Sequence, residues 1–169
     1  MIGALRRAAD RWLWCAEKLS YVSGALLILL SLPIAYDSLA RKSGHPTLWA
    51  FDISLYIMVS VIYVGVADGI RTGAHFRVHL LIERAPPKLA ELLEFVDLAF
   101  VFAFGIVLTL AAGGLVHTSY STHLLSTTLL AVPLFIPQIT LLIGGVSLAL
   151  EAVALAVKRL TTPGGGPLP

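Results

Sequence analysis

The chain has one cysteine, Cys15, so it carries neither an internal disulfide nor a multi-cysteine metal site. Charge is sparse: Asp, Glu, Lys and Arg make up 13% of the 169 residues, against 57% hydrophobic. A soluble domain of this length needs a larger charged surface to stay dispersed. The net charge is only +2, and the basic residues sit beside apolar runs rather than on one face, which gives nucleic-acid binding no footing. There is no glycine-rich phosphate loop and no dinucleotide fingerprint. Gly113-Gly114 and Gly144-Gly145 lie in or near apolar runs, where small residues permit close helix packing. Cys15 has no histidine near it in sequence, and Ser119, Ser121 and Ser126 lack an evident base. These gaps speak against an enzyme. What is present is long apolar sequence, with a mean hydropathy of +0.87, the composition of an integral membrane protein.

The gaps between charges locate the spans. A helix rises 1.5 Å per residue, so crossing roughly 30 Å of hydrocarbon takes about 20 residues. Leu19 to Tyr36 is uncharged and long enough, with Pro33 near its far end as a kink or terminator. A second run lies between Asp52 and Asp68, both placed near interfaces. The uncharged stretch Leu98 to Leu150 is too long for one helix, and its middle, His117 to Gln138, is rich in Ser and Thr and holds Pro133 and Pro137. It divides into two spans joined by an apolar, interface-hugging segment. The expected architecture is all-α: one domain over 1–160 with four transmembrane helices, approximately 19–40, 51–70, 91–116 and 135–157. Ala4 to Tyr21 reads as an amphipathic interfacial helix, with Trp12, Trp14 and Tyr21 suited to the headgroup layer. The tail 161–169, with Gly164-Gly165-Gly166 between prolines, reads as disordered. No internal repeat is evident, which argues against a carrier built from inverted repeats.

Lysine and arginine orient the chain. Arg6, Arg7, Arg11 and Lys18 precede the first span, and Arg71, Arg77, Arg84 and Lys88 lie between the second and third. Lys158 and Arg159 follow the fourth; Arg41 and Lys42 alone occupy the first loop. Cytoplasmic segments collect positive charge, so both termini and the middle loop are expected in the cytoplasm. A basic start and the weak Ser38-Leu39-Ala40 site are compatible with a cleaved leader, but the long region before the apolar run and three further spans favour a retained first span.

Charged groups at membrane depth are functional suspects. Asp68 lies three residues before Arg71, so a local ion pair is available. Glu91, Glu94 and Asp97 recur at every third residue and are expected to form one acidic face opening the third span, below Arg84 and Lys88. No carboxylate is expected in the middle of a span, which favours a self-neutralising interfacial network over a proton or cation relay. His75 and His79 are spaced for two-point metal binding on a helix, but no further ligand lies close, and His117 and His123 fall on the opposite membrane side. No metal, haem or other cofactor is expected.

One compact patch stands out: Arg71-Thr72-Gly73-Ala74-His75-Phe76-Arg77-Val78-His79, directly after the second apolar run. With Trp49-Ala50-Phe51-Asp52 entering that run, then Gly65, and later Val132-Pro133-Leu134-Phe135-Ile136-Pro137 with Gly144 beyond, it resembles the small membrane subunit of tripartite ATP-independent periplasmic (TRAP) transporters, the DctQ-like family. The resemblance runs from about Trp49 to Glu151. Phe135, Leu142 and His79 stand where that family commonly has tryptophan, proline and aspartate.

The resemblance implies a multi-pass protein of the bacterial inner (cytoplasmic) membrane with two protein partners: a large membrane subunit (DctM-like) and a periplasmic solute-binding protein (DctP-like). In such systems the binding protein captures an organic acid, and the large subunit carries it inward by an elevator-like movement driven by sodium. The small subunit braces the fixed scaffold, and the substrate and ion sites lie in the large subunit. Trp49, Asp52, Gly65, Asp68, Arg71, Gly73, His75, Arg77, Pro133 and Gly144 are then candidate structural or subunit-interface residues, with no catalytic role. A stand-alone small carrier and a membrane anchor for a redox complex are the rival readings.

Overall fold

A computed structural model describes residues 2–71, 86–128 and 130–161. They form four helices: α1 (Ile2–Lys42), α2 (Trp49–Arg71), α3 (Pro87–Ser121) and α4 (Phe135–Thr161). All four are long and apolar enough to cross a membrane. Consecutive helices run antiparallel, so the start of α1 and the end of α4 share one end of the bundle, the terminal end. The α1–α2 and α3–α4 connections share the other, the loop end.

Two boundaries differ from the sequence expectation. The amphipathic segment and the first span are one unbroken helix of 41 residues, and Pro33 lies inside it rather than ending it. The missing proline N–H costs one backbone hydrogen bond, a loss tolerated in membrane helices where neighbours compensate. At 1.5 Å per residue α1 is about 60 Å long, twice the hydrocarbon thickness, so part of it must tilt or project. The segment between α3 and α4 folds back on itself instead of lying flat. Ser126 N donates to Val132 O (2.8 Å), Leu134 N to Leu124 O (3.0 Å), and Leu125 bridges to Pro133. At the other connection Gly44 takes a φ of +79° just past the end of α1, a conformation that favours glycine. The expected disordered tail beyond Thr161 lies outside the described residues.

The helices do not form a square. α4 packs on all three others, most extensively on α3, whereas α3 packs on α4 alone among the described helices. The reason is backbone shape. A methyl added at Gly145 would stand 2.8 Å from Thr109 N, and one added at Gly105 would stand 2.7 Å from Ala149 N. On another side of α4, a methyl at Gly144 would meet Tyr63 O at 2.8 Å. Successive residues on a helix point about 100° apart, so Gly144 and Gly145 open two neighbouring faces, one for α2 and one for α3. Thr109 remains compatible with this contact because its hydroxyl donates to Gly105 O within α3 (2.7 Å). Gly113 and Gly114 play no such part: the first has only an ordinary contact with Leu142, and the second faces open space. The α1–α2 pair is joined by Ser23 Oγ, which donates to Val61 O (2.7 Å) and occupies the space left by Gly65.

The apolar core sits at the terminal end. Ala9 and Leu13 of α1, Leu98 and Val101 of α3, and Leu148, Ala152, Ala154 and Leu155 of α4 form one cluster. Gly105→Val and Gly145→Val should each lower stability by about 2–3 kcal/mol, the cost of overpacking a close contact. Gly114→Ala should leave it unchanged or slightly raised. Thermal unfolding of the detergent-solubilised chain reads the difference, and equal losses at all three positions would contradict the glycine-contact account.

Candidate functional site

The sequence-named residues distribute over both ends of the bundle. At the loop end, Trp49 opens α2 and packs its ring 5.5 Å, centroid to centroid, from Tyr36 of α1. The next residue of α1, Asp37, accepts hydrogen bonds from Thr47 N (3.1 Å) and the Thr47 hydroxyl and pairs with Arg41 Nε (2.6 Å). This clamps the α1–α2 turn with groups absent from the sequence-named set. Asp52, in the first turn of α2, is 3% exposed, and its Oδ2 has no hydrogen-bond partner among the described residues. A carboxylate there is favoured by the partial positive charge of the helix N-terminus. Pro133 lies in the α3–α4 connection and accepts from Ile136 N (3.2 Å), while Tyr120 meets the edge of Phe135 at 5.7 Å. Gly65 and Gly144 lie mid-bundle in the close contacts already described.

At the terminal end, Asp68 and Arg71 fall in the last turn of α2. Gly73, His75 and Arg77 lie outside the described residues, as do His79, Arg84 and most of the patch that follows the second span.

The acidic run at the start of α3 does not form one face. Glu91 is exposed, whereas Glu94 turns inward, 8% exposed, and its Oε2 lies 3.1 Å from Arg159 Nη2 of α4. A counter-ion of Glu94 thus comes from α4, far along the sequence. Three residues per step is not a full helical turn, so successive members rotate away from each other by about 60°. The expectation of no carboxylate in the middle of a span meets an exception: Glu151, in the middle third of the 27 residues of α4, is fully buried. Its signal was plain in the sequence, a single acidic residue inside the apolar run 135–157. Trp12 packs against the core from α1, with its indole Nε1 buried and without a hydrogen-bond partner among the described residues.

Among the described residues no three His, Cys, Asp or Glu side chains converge. The geometry is that of a tightly locked helical unit with charge clamps at both ends.

The family model for the DctQ component of tripartite ATP-independent periplasmic transporters matches residues 11–162. The chain belongs to the DctQ family. The matched range takes in α1 from Arg11 onward and the whole of α2, α3 and α4. No curated protein and no solved structure matches the chain at a significant level.

A DctQ chain is a component of a transporter, the small membrane subunit that works with a large membrane subunit and a binding protein. The contacts found here suit such a component. Its polar side chains are spent on holding helices in place: Ser23 across α1–α2, Asp37 across the turn, and Glu94 with Arg159 across α3–α4. The last of these is the most demanding, because both side chains are largely removed from solvent, at 9% and 17% exposed. Breaking such a pair leaves a charge stranded, while replacing both partners by apolar groups removes the desolvation cost altogether. Arg159→Leu should therefore destabilise DctQ by about 3 kcal/mol, and Glu94→Leu/Arg159→Leu should recover most of that loss. Equal unfolding midpoints for the single and double variants in detergent would refute the pairing.

Proposed function

We propose that this chain is the scaffold subunit of a TRAP-type secondary transporter that imports an organic acid. It acts with a solute-binding protein and a large, sodium-coupled membrane subunit, in a bacterial inner membrane. The observation that carries this reading is the match to the DctQ component over residues 11–162. The geometry adds support. An elevator-like movement needs an immobile frame to move against, and a bundle whose central helix meets α2 and α3 through close backbone contacts resists deformation. Large apolar side chains stand exposed along α1, α2 and α3, including Ile28, Phe51, Phe100 and Leu110. Such faces require cover from lipid or from another membrane subunit.

On this reading both termini and the α2–α3 segment lie in the cytoplasm, because ten of the twelve lysines and arginines fall there. Trp14 and Trp49 anchor the frame at the two surfaces, while Trp12 packs inward on the core. Asp68, Arg71, His75 and Arg77 fasten the inner segment, within the chain or against the large subunit. Substrate choice and ion coupling reside in the large subunit.

Arg71→Glu/Arg77→Glu should cut copurification of the large subunit by at least about tenfold, the loss expected when charge contacts at an interface are reversed. Unchanged copurification and uptake would remove the contact role. In proteoliposomes, uptake should require the binding protein, the large subunit and this chain together with a sodium gradient. Uptake by this chain alone would overturn the scaffold reading in favour of a small carrier, and a bound chromophore would favour a redox anchor.

A further inference from the structure

The terminal half of α1 carries a charged and aromatic stripe whose make-up the transporter role does not explain. Arg7, Arg11, Trp14, Lys18 and Tyr21 follow one another at steps of four and three, which on a helix keeps them within about 80° of arc. All five are exposed; Trp14 and Tyr21 are 60% and 65% exposed. The opposite side of the same turns carries Ala9, Leu13 and Ala16, all buried, with Ala9 and Leu13 in the core cluster beside Ala152 and Leu155 of α4. The stripe therefore points away from the bundle.

What lies in front of it follows from its neighbours along the helix. The same face continues as Ala25, Ile28 and Leu32, all exposed, in the uncharged part of α1. A face that is apolar within the span looks onto acyl chains, so the stripe directly below it looks onto the headgroups of the same leaflet. The level agrees. Leu13 shares a cluster with Leu155, about one turn from Arg159, whose pairing with Glu94 marks where charge reappears at the terminal end of α3 and α4.

The chemistry of the stripe selects the kind of headgroup. Lys18 Nζ lies 5.5 Å from the Trp14 ring centroid and 5.2 Å from that of Tyr21, so the ammonium is held between two rings suited to the glycerol level. Arg7 and Arg11 continue the cationic line outward by one and two turns beyond Trp14. Among the described residues no carboxylate forms an ion pair with Arg7, Arg11 or Lys18, although Asp10 and Glu17 lie on an adjoining face. Three cations without a carboxylate partner among the described residues, beside exposed aromatic rings, complement a headgroup with net negative charge. A zwitterionic headgroup brings its own cation and gains less.

We propose that Arg7, Arg11, Trp14, Lys18 and Tyr21 form a binding surface for anionic phospholipid, which fixes the depth and rotation of α1 at the terminal-side leaflet. The test uses the full chain with Trp14 as the sole tryptophan (Trp12→Phe/Trp49→Phe), in bilayers of phosphatidylcholine containing a minority of phosphatidylglycerol. Bromine is placed on the acyl chains of one lipid or the other, and Trp14 fluorescence reports which lipid is beside it. Per mole of lipid, brominated phosphatidylglycerol should quench about threefold more than brominated phosphatidylcholine, and the preference should shrink as ionic strength rises. Arg7→Gln/Arg11→Gln/Lys18→Gln should bring the ratio to parity, while Lys42→Gln at the loop end should leave it unchanged. Parity in the parent chain overturns the proposal without recourse to any variant. An equal fall with Lys42→Gln would assign the preference to overall charge and overturn it as well. So would loss of quenching by both lipids once the large subunit is bound, because the face would then belong to that subunit.

Discussion

Close approach of backbones around α4 is the constraint on which the other contacts depend. Gly145 and Gly105 bring α3 and α4 together until the backbone of one lies against the open face of the other, and Gly144 does the same for α2. In lipid there is little hydrophobic force between helices, because acyl chains are as apolar as leucine. Association then rests on dispersion at short range and on a few polar contacts, and both need the axes close. Two adjacent glycines on one helix satisfy that need toward two partners at once, which makes α4 the axis of the bundle and, among the described helices, the one that holds α3. The longer reach of Glu94 to Arg159 is possible only because the helices beneath are already in register.

Polar groups follow a consistent placement. Several gather at the two ends in specific contacts: Asp37 holds the turn with Thr47 and Arg41, and Glu94 meets Arg159. The mid-bundle hydroxyls of Ser23 and Thr109 bond to backbone carbonyls. Glu151 is the departure, a fully buried carboxylate in α4 at the level of the terminal-side core. For a DctQ subunit this arrangement is that of a frame. Its contacts fix helices relative to one another, and large apolar side chains of α1, α2 and α3 stand exposed.

Several features were legible in the residues because they depend on local composition. The four helices follow from the gaps between charges, and the order of Trp49, Asp52, Gly65 and Arg71 with the Pro133 and Gly144 region pointed to the family that the match over residues 11–162 identifies. Other features were misread for physical reasons. The amphipathic segment and first span are continuous because a change from polar to apolar side chains does not interrupt backbone hydrogen bonding, and Pro33 is accommodated within the helix. The spacing of Glu91, Glu94 and Asp97 suggests one face, but its members rotate apart, and Arg159, which pairs with Glu94, is about 65 positions away along the chain, beyond any argument from local spacing. Glu151 was overlooked because one acid hardly alters the mean hydropathy of a long run. The patch that first drew attention, Thr72 to His79, lies outside the described residues and keeps its role as an orientation and family signal.

By itself the sequence determined the class of the protein, its four membrane-capable helices and its family, since length, hydropathy and motif order are properties of a chain read one segment at a time. Only the tertiary structure decided that α4 is central, that Gly144 and Gly145 serve two different partners while Gly113 and Gly114 serve none, that Glu94 pairs with Arg159, and that one face of α1 turns its arginines, lysine and aromatic rings outward. Hydropathy says which segments enter lipid. It does not say which apolar surfaces meet there, because side chain and acyl chain are nearly equivalent solvents for one another, and the choice among partners falls to shape and to a few charges.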